Sequence, residues 1–493
     1  MNNDQTLIVK EETLDPADWN EYGVIAHRMV DDMISFLKGL RSQPVWVKPP
    51  ESSKAFLRQE LPLKGSPLAD VYQEFLTHVL PYRKGNIHPR FFSWVEGTGT
   101  FTGALGDLLA SVMNSNLGVG DHGAVYVERQ VLNWFKQIMG YSPASTGILA
   151  SGGSVANITA LIVARNAFRR GFIKKNGLKK MDGQLVMYCS TETHNCIFKA
   201  AETIGIGSDY IRKIPVNDAY QIDHVMLQLQ IQQDRQNGLL PFCLIGNAGT
   251  VNTGAIDPLM ELSLICKRER LWFHVDGAIG ALANLLPEFE DKLKGLADAD
   301  SIAFDLHKWL YVNYEAGCLL IRDGNIHRKA FVQQADYLLK HERGLAAGPD
   351  SFSNYGLELS RGFRSLKVWI MIKEFGIEKY KRLIRQNINQ AFYLGKRVRQ
   401  IPLLELMTPV TLNIVCFRYN PGGMDGNDLN ELNRELLMDI QEKGITAPSY
   451  TYLAGNYVLR VSITNHRTRL QDLEILLEQT LIHGNQIYEK LSK

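Results

Sequence analysis

Lys308 stands between His307 and Trp309 in the stretch ADSIAFDLHKWLYVNYEAGCLLIRD, residues 299 to 323. The apolar run Ser301 to Phe304 reads as a short buried strand, with Asp305, His307 and Lys308 following at its end, and Gly317 to Ile321 reads as a second strand. An amine there, walled by Trp309, Tyr311 and Tyr314, is expected to shed its proton, because burial disfavours the charged form and lowers the pKa from its usual value of about 10.4. A neutral amine is a nucleophile. The alternative is a lysine that runs past the aromatics to solvent or pairs with Asp305.

Other polar groups also fall at the ends of apolar runs. In SGGSVAN, Gly152, Gly153 and Ser154 read as a helix N-terminus, where free N–H groups and the helix dipole favour a phosphate, although the same residues would serve an ordinary turn. STETH brings His194 beyond another strand, either as a structural histidine or as a flat ring against a ligand. HVDGA puts Asp276 after buried residues, where an unpaired carboxylate is costly; its partner is either Lys308 or a protonated pyridine nitrogen. Phosphate site, flat histidine, buried aspartate and buried lysine are together the parts that hold pyridoxal phosphate.

The chain has 493 residues, 45% hydrophobic and 22% charged, with a formal net charge of +2. That allows ample core and either about three domains or one large α/β layer with smaller appendages. The near-neutral charge gives no support for nucleic-acid or membrane partners. No apolar run approaches the roughly 18 residues of a membrane span, and MNNDQTLIVKEETLDPADW lacks the order of a signal peptide, so a soluble, cytoplasmic protein is expected. The cysteines never form C-x-x-C and are expected as reduced core residues, without a metal site.

LDPADW predicts a helix capped by Asp15 with Pro16 in its first turn, and Ser66-Pro67 opens a second amphipathic helix. HPRFFSWVEGTGT, residues 88 to 100, reads as a loop whose aromatics either wall a pocket or plug the core. Helical stretches over 103–113 and 124–139 follow. From residue 147 onward strands and helices alternate, with QLVMYCS, CLIGNAGT and LWFHVDG as strands of the kind buried on both faces. That predicts a mostly parallel sheet covered by helices, with ligands at the carboxyl ends of its strands. Beyond Gly376, TLNIVCFRY and NYVLRVSIT read as strands and 428–443 and 468–489 as helices. The expected division is a helical segment 1–85, a large α/β domain 86–376 and a small α+β domain 377–493.

HVDGA together with FDLHKWLYVNYEAGC resembles the group II pyridoxal-phosphate decarboxylases, the family of the aromatic-L-amino-acid and glutamate decarboxylases. The likeness runs through the HPRFF loop, SGGSVANITAL, THNCIFKA, GTVNTGAID, RGFRSLKVW and LRVSIT. The resemblance implies an aspartate-aminotransferase-like α/β fold, fold type I, with pyridoxal 5'-phosphate carried on Lys308. It implies Asp276 against the ring nitrogen, His194 stacked on the ring, Ala278 on the ring's other face and Gly153 with Ser154 at the phosphate. His307 and Thr250 are implied beside the cofactor. A homodimer with active sites at its interface is implied too, and a catalytic loop whose tyrosine matches Tyr337 in ADYLLKH. Members of the aromatic type often carry Asn-Pro before the His-Lys pair, and here Asp305-Leu306 stands instead. A carboxylate beside a phosphate is repelled, so Asp305 is expected to turn away or to meet a cation.

The reaction so implied is decarboxylation of an L-amino acid to the amine and carbon dioxide. Phe92 and Trp94, with Phe91, favour an aromatic substrate, whereas Arg90 or Lys84 could serve an acidic one. Oxidative deamination to an aldehyde is the alternative within the fold, favoured by Phe at the loop tyrosine, and a catalytically inert structural protein is the alternative outside it. Residues 332–351, with Gly344 and Gly348-Pro349, read as a loop that closes over the site and lets Tyr337 deliver a proton to Cα away from solvent. Tyr337→Phe keeps the ring and removes the hydroxyl. Amine output is then expected to fall while aldehyde, ammonia and peroxide rise under air; amine as sole product at an unchanged rate, by product chromatography, would take Tyr337 out of the mechanism.

Overall fold

The computed structural model describes residues 12–333 and 341–491, so Tyr337 lies outside the described residues. The chain divides into two compact units, Met1–Lys84 and Gly85–Lys493.

The first unit holds α1 (Trp19–Lys38), α2 (Glu51–Phe56) and α3 (Leu68–His78). α1 starts later than the sequence suggests, because Asp18 and not Asp15 caps it: the Asp18 carboxylate accepts from the N–H groups of Asn20 (2.7 Å) and Glu21 (3.3 Å). Tyr72 of α3 donates to Asp32 of α1 at 3.0 Å, and Ser53 of α2 lies 3.1 Å from His78 Nδ1. α1 buries none of its residues within the chain, and Trp19 is 68% and Val24 70% exposed.

In the second unit, β1 (Phe91–Phe92), α4 (Phe101–Met113) and α5 (Gly123–Ile138) lead into the alternating region. There β2 (Thr146–Ala150), α6 (Gly153–Ala167), α7 (Phe172–Asn176), β3 (Leu185–Ser190), α8 (Asn195–Thr203) and β4 (Ile211–Ile214) are followed by α9 (His224–Gln236), β5 (Leu240–Asn247) and α10 (Leu259–Glu269). β6 (Trp272–Asp276), β7 (Ser301–Asp305), α11 (Leu306–Trp309), β8 (Gly317–Ile321) and α12 (Gly324–Phe331) complete it. The sheet runs β2-β8-β7-β6-β5-β3-β4, parallel from β7 to β4, with β8 antiparallel to both neighbours. Every residue of β3, β7 and β8 is buried, as unbroken apolar runs between two helical layers require. Phe304 of β7 meets Phe135 of α5 edge to face at 5.4 Å, and each such buried ring contributes roughly 1.5–3 kcal/mol, which pins the strand that leads to Lys308.

A second sheet follows α13 (Arg364–Gln400): β9 (Leu404–Leu406), β10 (Ile414–Tyr419), α14 (Gly426–Glu442), β11 (Ala447–Leu453), β12 (Asn456–Ser462) and α15 (Leu470–Leu491). Its order is β1-β11-β12-β10-β9, so the expected loop at 88–100 contributes an edge strand, Phe91 and Phe92 pairing with Ala447 and Pro448. Gly376, where the domain boundary was expected, lies inside α13 at a break in its helical conformation. All six cysteines are buried and unpaired. Among the described residues no helix is long and apolar enough to cross a membrane.

Candidate active site

A cavity of about 470 Å³ opens at the carboxyl ends of β2, β3, β5, β6 and β7. That is where a parallel sheet leaves its loops and helix N-termini free to meet a ligand. Gly153, Ser154, His194, Thr250, Asp276, Ala278, His307 and Lys308, distant in sequence, all line it.

α6 begins at this wall. The N–H groups of Ser154 and Val155 lie in its first turn, with no acceptor inside the helix, and the positive end of the helix dipole faces the cavity. The Gly153 N–H donates to Asp305 Oδ1 at 2.6 Å. A Cβ on Gly153 would stand 2.9 Å from Asp305 Oδ2, so only glycine admits the carboxylate this close.

Asp305 does meet a cation: its Oδ2 lies 2.9 Å from Lys308 Nζ, and His307 Nε2 lies 3.7 Å from Oδ1. This pairing reverses the sequence-based expectation of a lysine poised to lose its proton. Burial works to lower the Lys308 pKa, but Asp305, with Asp276 and Tyr314 farther off, more than offsets it, and the pKa stands above the usual lysine value. Burial likewise works to raise Asp305, and Lys308 and His307 bring its pKa below the usual carboxylate value. The aromatic wall also differs from expectation. Trp309 and Tyr311 turn into the core, Tyr311 donating to Asn387 Oδ1 at 2.9 Å. Tyr314 alone of the three lines the cavity, its ring 4.5 Å from that of His307.

Asp276, 5% exposed, ends β6. Its Oδ1 accepts from the Ala278 N–H (3.1 Å) and its Oδ2 from Asn157 Nδ2 (3.0 Å). Burial raises its pKa against the pull of Lys308 and His194. His194 caps α8, its Nδ1 accepting from the Cys196 N–H at 3.2 Å, so the neutral ring carries its proton on Nε2. Burial lowers the His194 pKa and favours that neutral form. Thr250 Oγ1 accepts from the Ala255 N–H and sits 2.9 Å from Thr253 Oγ1.

Trp94 is at the cavity, but Phe92 is not: it is 1% exposed and packs in the core of the second sheet. Alternation along β1 and its pairing with β11 take it away from the ligand side. Arg90 points elsewhere too, donating to the Ile445 carbonyl at 2.6 Å, and Lys84 belongs to the first unit. The stretch 88–100 is held by the segment after β12: Thr464 Oγ1 donates to the Glu96 carbonyl (2.6 Å), Asn465 to that of His88 (2.9 Å) and Thr468 to that of Pro89 (2.7 Å). Gly97 touches the Lys308 turn so closely that a Cβ would fall 1.6 Å from the His307 carbonyl oxygen.

Sequence reasoning missed Arg460 and Asn157. Arg460 of β12 lines the cavity 3% exposed and donates to the Val251 and Asn252 carbonyls. Burial pulls its pKa down to about 10, so it stays cationic at neutral pH. Its signal was an arginine inside an apolar strand; Asn157 gave none.

The family profile of the pyridoxal-dependent decarboxylase conserved domain matches residues 50–420. The chain is 33% identical over 459 residues to an aromatic-L-amino-acid decarboxylase of Bacillus atrophaeus, covering 92% of this chain and 94% of that protein. It is 30% identical over 464 residues to tyrosine decarboxylase 3 of Petroselinum crispum, covering 92% and 89%. Among solved structures it is similar to Oryza sativa TDC with PLP and tryptamine, with a TM-score of 0.89, 26% identity, and 96% and 100% of the two chains covered.

Asp305→Asn removes the carboxylate that stabilises the Lys308 ammonium, so the lysine pKa should fall. A fall of about one unit raises the neutral fraction at fixed pH roughly tenfold. The rate at which Lys308 reacts with an amine-modifying reagent, followed against pH in the cofactor-free protein, measures this; an unchanged profile would mean that Asp305 does not hold the proton.

Proposed function

The chain belongs to the pyridoxal-dependent decarboxylase family, and from that premise we propose that it converts an aromatic L-amino acid to its amine and carbon dioxide. The observation that carries this is the meeting of Lys308, Asp276, His194 and the α6 N-terminus around one cavity.

The residues fit pyridoxal phosphate. A helix N-terminus suits a phosphate, a buried carboxylate suits a protonated ring nitrogen, and an amine at the same cavity suits the aldehyde. Asp305, whose carboxylate lies against the same helix end, is the one residue at odds with a phosphate, and its pairing with Lys308 reduces the repulsion. In this reading the free N–H groups of Ser154 and Val155 hold the phosphate, Gly153 gives its own N–H to Asp305 at the same helix end, and His307 and Thr250 lie beside the cofactor. Asp276 keeps the ring nitrogen protonated, and His194 and Ala278 press on the two faces of the ring.

When bound, the cofactor supplies a ring that takes up the electron pair left on Cα as the carboxylate departs. Lys308 would hold the cofactor, and Asp305, at hydrogen-bond distance, would take or return the Lys308 proton. Arg460, which forms no ion pair among the described residues, draws the substrate carboxylate into the cavity. The neutral His194 ring presents an apolar face and excludes water. Tyr337 is the proton donor to Cα. Trp94 and Tyr314 supply the aromatic surface, and the named relatives support the same substrate class.

We also infer a cytoplasmic homodimer. Buried, unpaired cysteines suit a reducing compartment. α4 exposes Leu108 (52%), Leu109 (54%) and Val112 (79%), an apolar face larger than scattered surface residues account for. Double charge insertion, Leu108→Glu with Val112→Glu, is expected to convert a dimer to a monomer in light scattering and to abolish turnover; a wild-type mass of one chain would overturn the dimer.

The function itself is tested by carbon dioxide release from each of the twenty amino acids. Tyrosine, tryptophan, phenylalanine or a catechol analogue should lead, Lys308→Ala should be silent, and borohydride should fix a pyridoxyl group on Lys308 alone. Preference for glutamate, or a label on another lysine, would refute the substrate class or the assignment of Lys308.

A further inference from the structure

Asp276 faces a conflict. It needs to be ionised to hold a proton on a ring nitrogen, yet burial raises its pKa, and the groups around it do not settle the matter by charge. Lys308 on α11 and His194 at the cap of α8 pull the pKa down, Asp305 at the end of β7 pushes it up, and Cys196 of α8 is a neutral neighbour whose thiol burial raises to about 12. Lys308, the cation with the larger pull on Asp276, is engaged with Asp305. Direct contact with Asp276 comes instead from neutral donors, the Ala278 N–H and the Asn157 amide.

The Asn157 amide begins a longer series. Its Oδ1 lies 2.8 Å from His274 Nε2; His274 Nδ1 lies 2.8 Å from Ser301 Oγ; and Ser301 Oγ accepts from Trp272 Nε1 at 2.8 Å. The fold explains the alignment. Trp272, His274 and Asp276 alternate along β6 and share one face, Ser301 of β7 is the register partner of His274, and α6 packs on these strands. Asn157, His274 and Ser301 are at most 1% exposed, and none of the four residues lines the cavity.

With Asp276 ionised, the series has one consistent direction. An indole N–H donates and cannot accept, so Ser301 Oγ accepts from Trp272. Asn157 gives the ionised carboxylate Nδ2 and turns Oδ1 to His274 Nε2, which must then carry the ring proton and leave Nδ1 to accept from the Ser301 hydroxyl. A neutral imidazole that accepts at Nδ1 carries its proton on Nε2, and burial pulls the His274 pKa down to about 3, which keeps the ring neutral. Nε2–H then donates to Asn157 Oδ1, which turns the amide so that Nδ2 donates to Asp276 Oδ2 and, at 3.3 Å, to Cys196 Sγ. Reversing the series would need a protonated Asp276 and a turned-over Asn157 amide, so it is the carboxylate end that sets the direction.

We propose that Trp272, Ser301, His274 and Asn157 are positioning residues that form a one-way chain of donors ending on Asp276, holding it as a carboxylate for the cofactor's ring nitrogen. This rests on the reading of Asp276 given above. The carboxylate sets the direction, and the indole four residues back along the same strand donates to the Ser301 oxygen and polarises the hydroxyl that begins the chain.

The test is a titration of the Asp276 carboxyl by carbon-13 NMR in the full-length protein stripped of cofactor. Asn157→Leu cuts the last link and should raise the midpoint by about one unit, roughly tenfold in proton affinity. Trp272→Phe and Ser301→Ala, both small truncations, should each raise it by about half a unit, roughly threefold. The double variant Trp272→Phe/Ser301→Ala should move no further than either single, because both break the same chain. An unmoved midpoint in either upstream single, or shifts that add in the double, would overturn the proposal. The titration reads Asp276 whether or not Lys308 carries the cofactor, and borohydride labelling of the same wild-type preparation reports that assignment separately.

Discussion

The contact between Lys308 Nζ and Asp305 Oδ2, 2.9 Å at the end of β7, sets the electrostatics of everything around it. Burying either charge alone would cost several kcal/mol. Together, with the Gly153 N–H and His307 completing the shell of the carboxylate, they form a compact cluster in which the proton has nearby places to go. The lysine is therefore not a free amine made reactive by apolar walls. It is an ammonium whose proton is shared with a carboxylate at hydrogen-bond distance, and its reactivity depends on that carboxylate.

This cluster constrains its surroundings in turn. The α6 N-terminus must come close enough for its first N–H to reach Asp305, which requires glycine at 153, and the stretch at 88–100 must pass over the His307 carbonyl, which requires glycine at 97. That stretch is anchored by β1 in the second sheet and by side chains from Thr464 to Thr468. The same sheet delivers Arg460 to the cavity wall, so the two sheets of the second unit build one site between them.

Much of this was legible in the sequence because it follows from strand ends. Runs such as LVMYC and WFHV declare strands buried on both faces, and the polar residue after each must lie at the edge of the sheet, which is how Asp276, His194 and Lys308 could be brought together before any coordinates. What the pattern does not encode is direction beyond the strand. In the single turn of α11 and the residues after it, Trp309 and Tyr311 rotate into the core while Tyr314 faces the cavity, and no periodicity over so short a stretch separates them. Phe92 was misjudged for a related reason: a two-residue strand pairing with β11, some 350 positions away, is invisible locally. Asn157 lies mid-helix, where its amide has meaning only through the histidine that meets it from β6.

Asp276 and Asp305 end adjacent parallel strands and are almost equally buried, yet their pKa values move in opposite directions. Burial penalises both charged forms, so the difference lies in what donates to each. Asp305 has an ammonium and a helix N–H, and ion pairing outweighs burial. Among the described residues Asp276 has neutral amides in contact, and burial outweighs the pull of Lys308 and His194. The two carboxylates are thus divided between one held as an anion by the lysine whose proton it can take and return, and one whose ionisation is left to hydrogen-bond donors and to whatever cation enters the cavity. A carboxylate of the second kind binds a protonated ring nitrogen more strongly than one already neutralised by a fixed ammonium would, because its charge has not been spent on a protein partner.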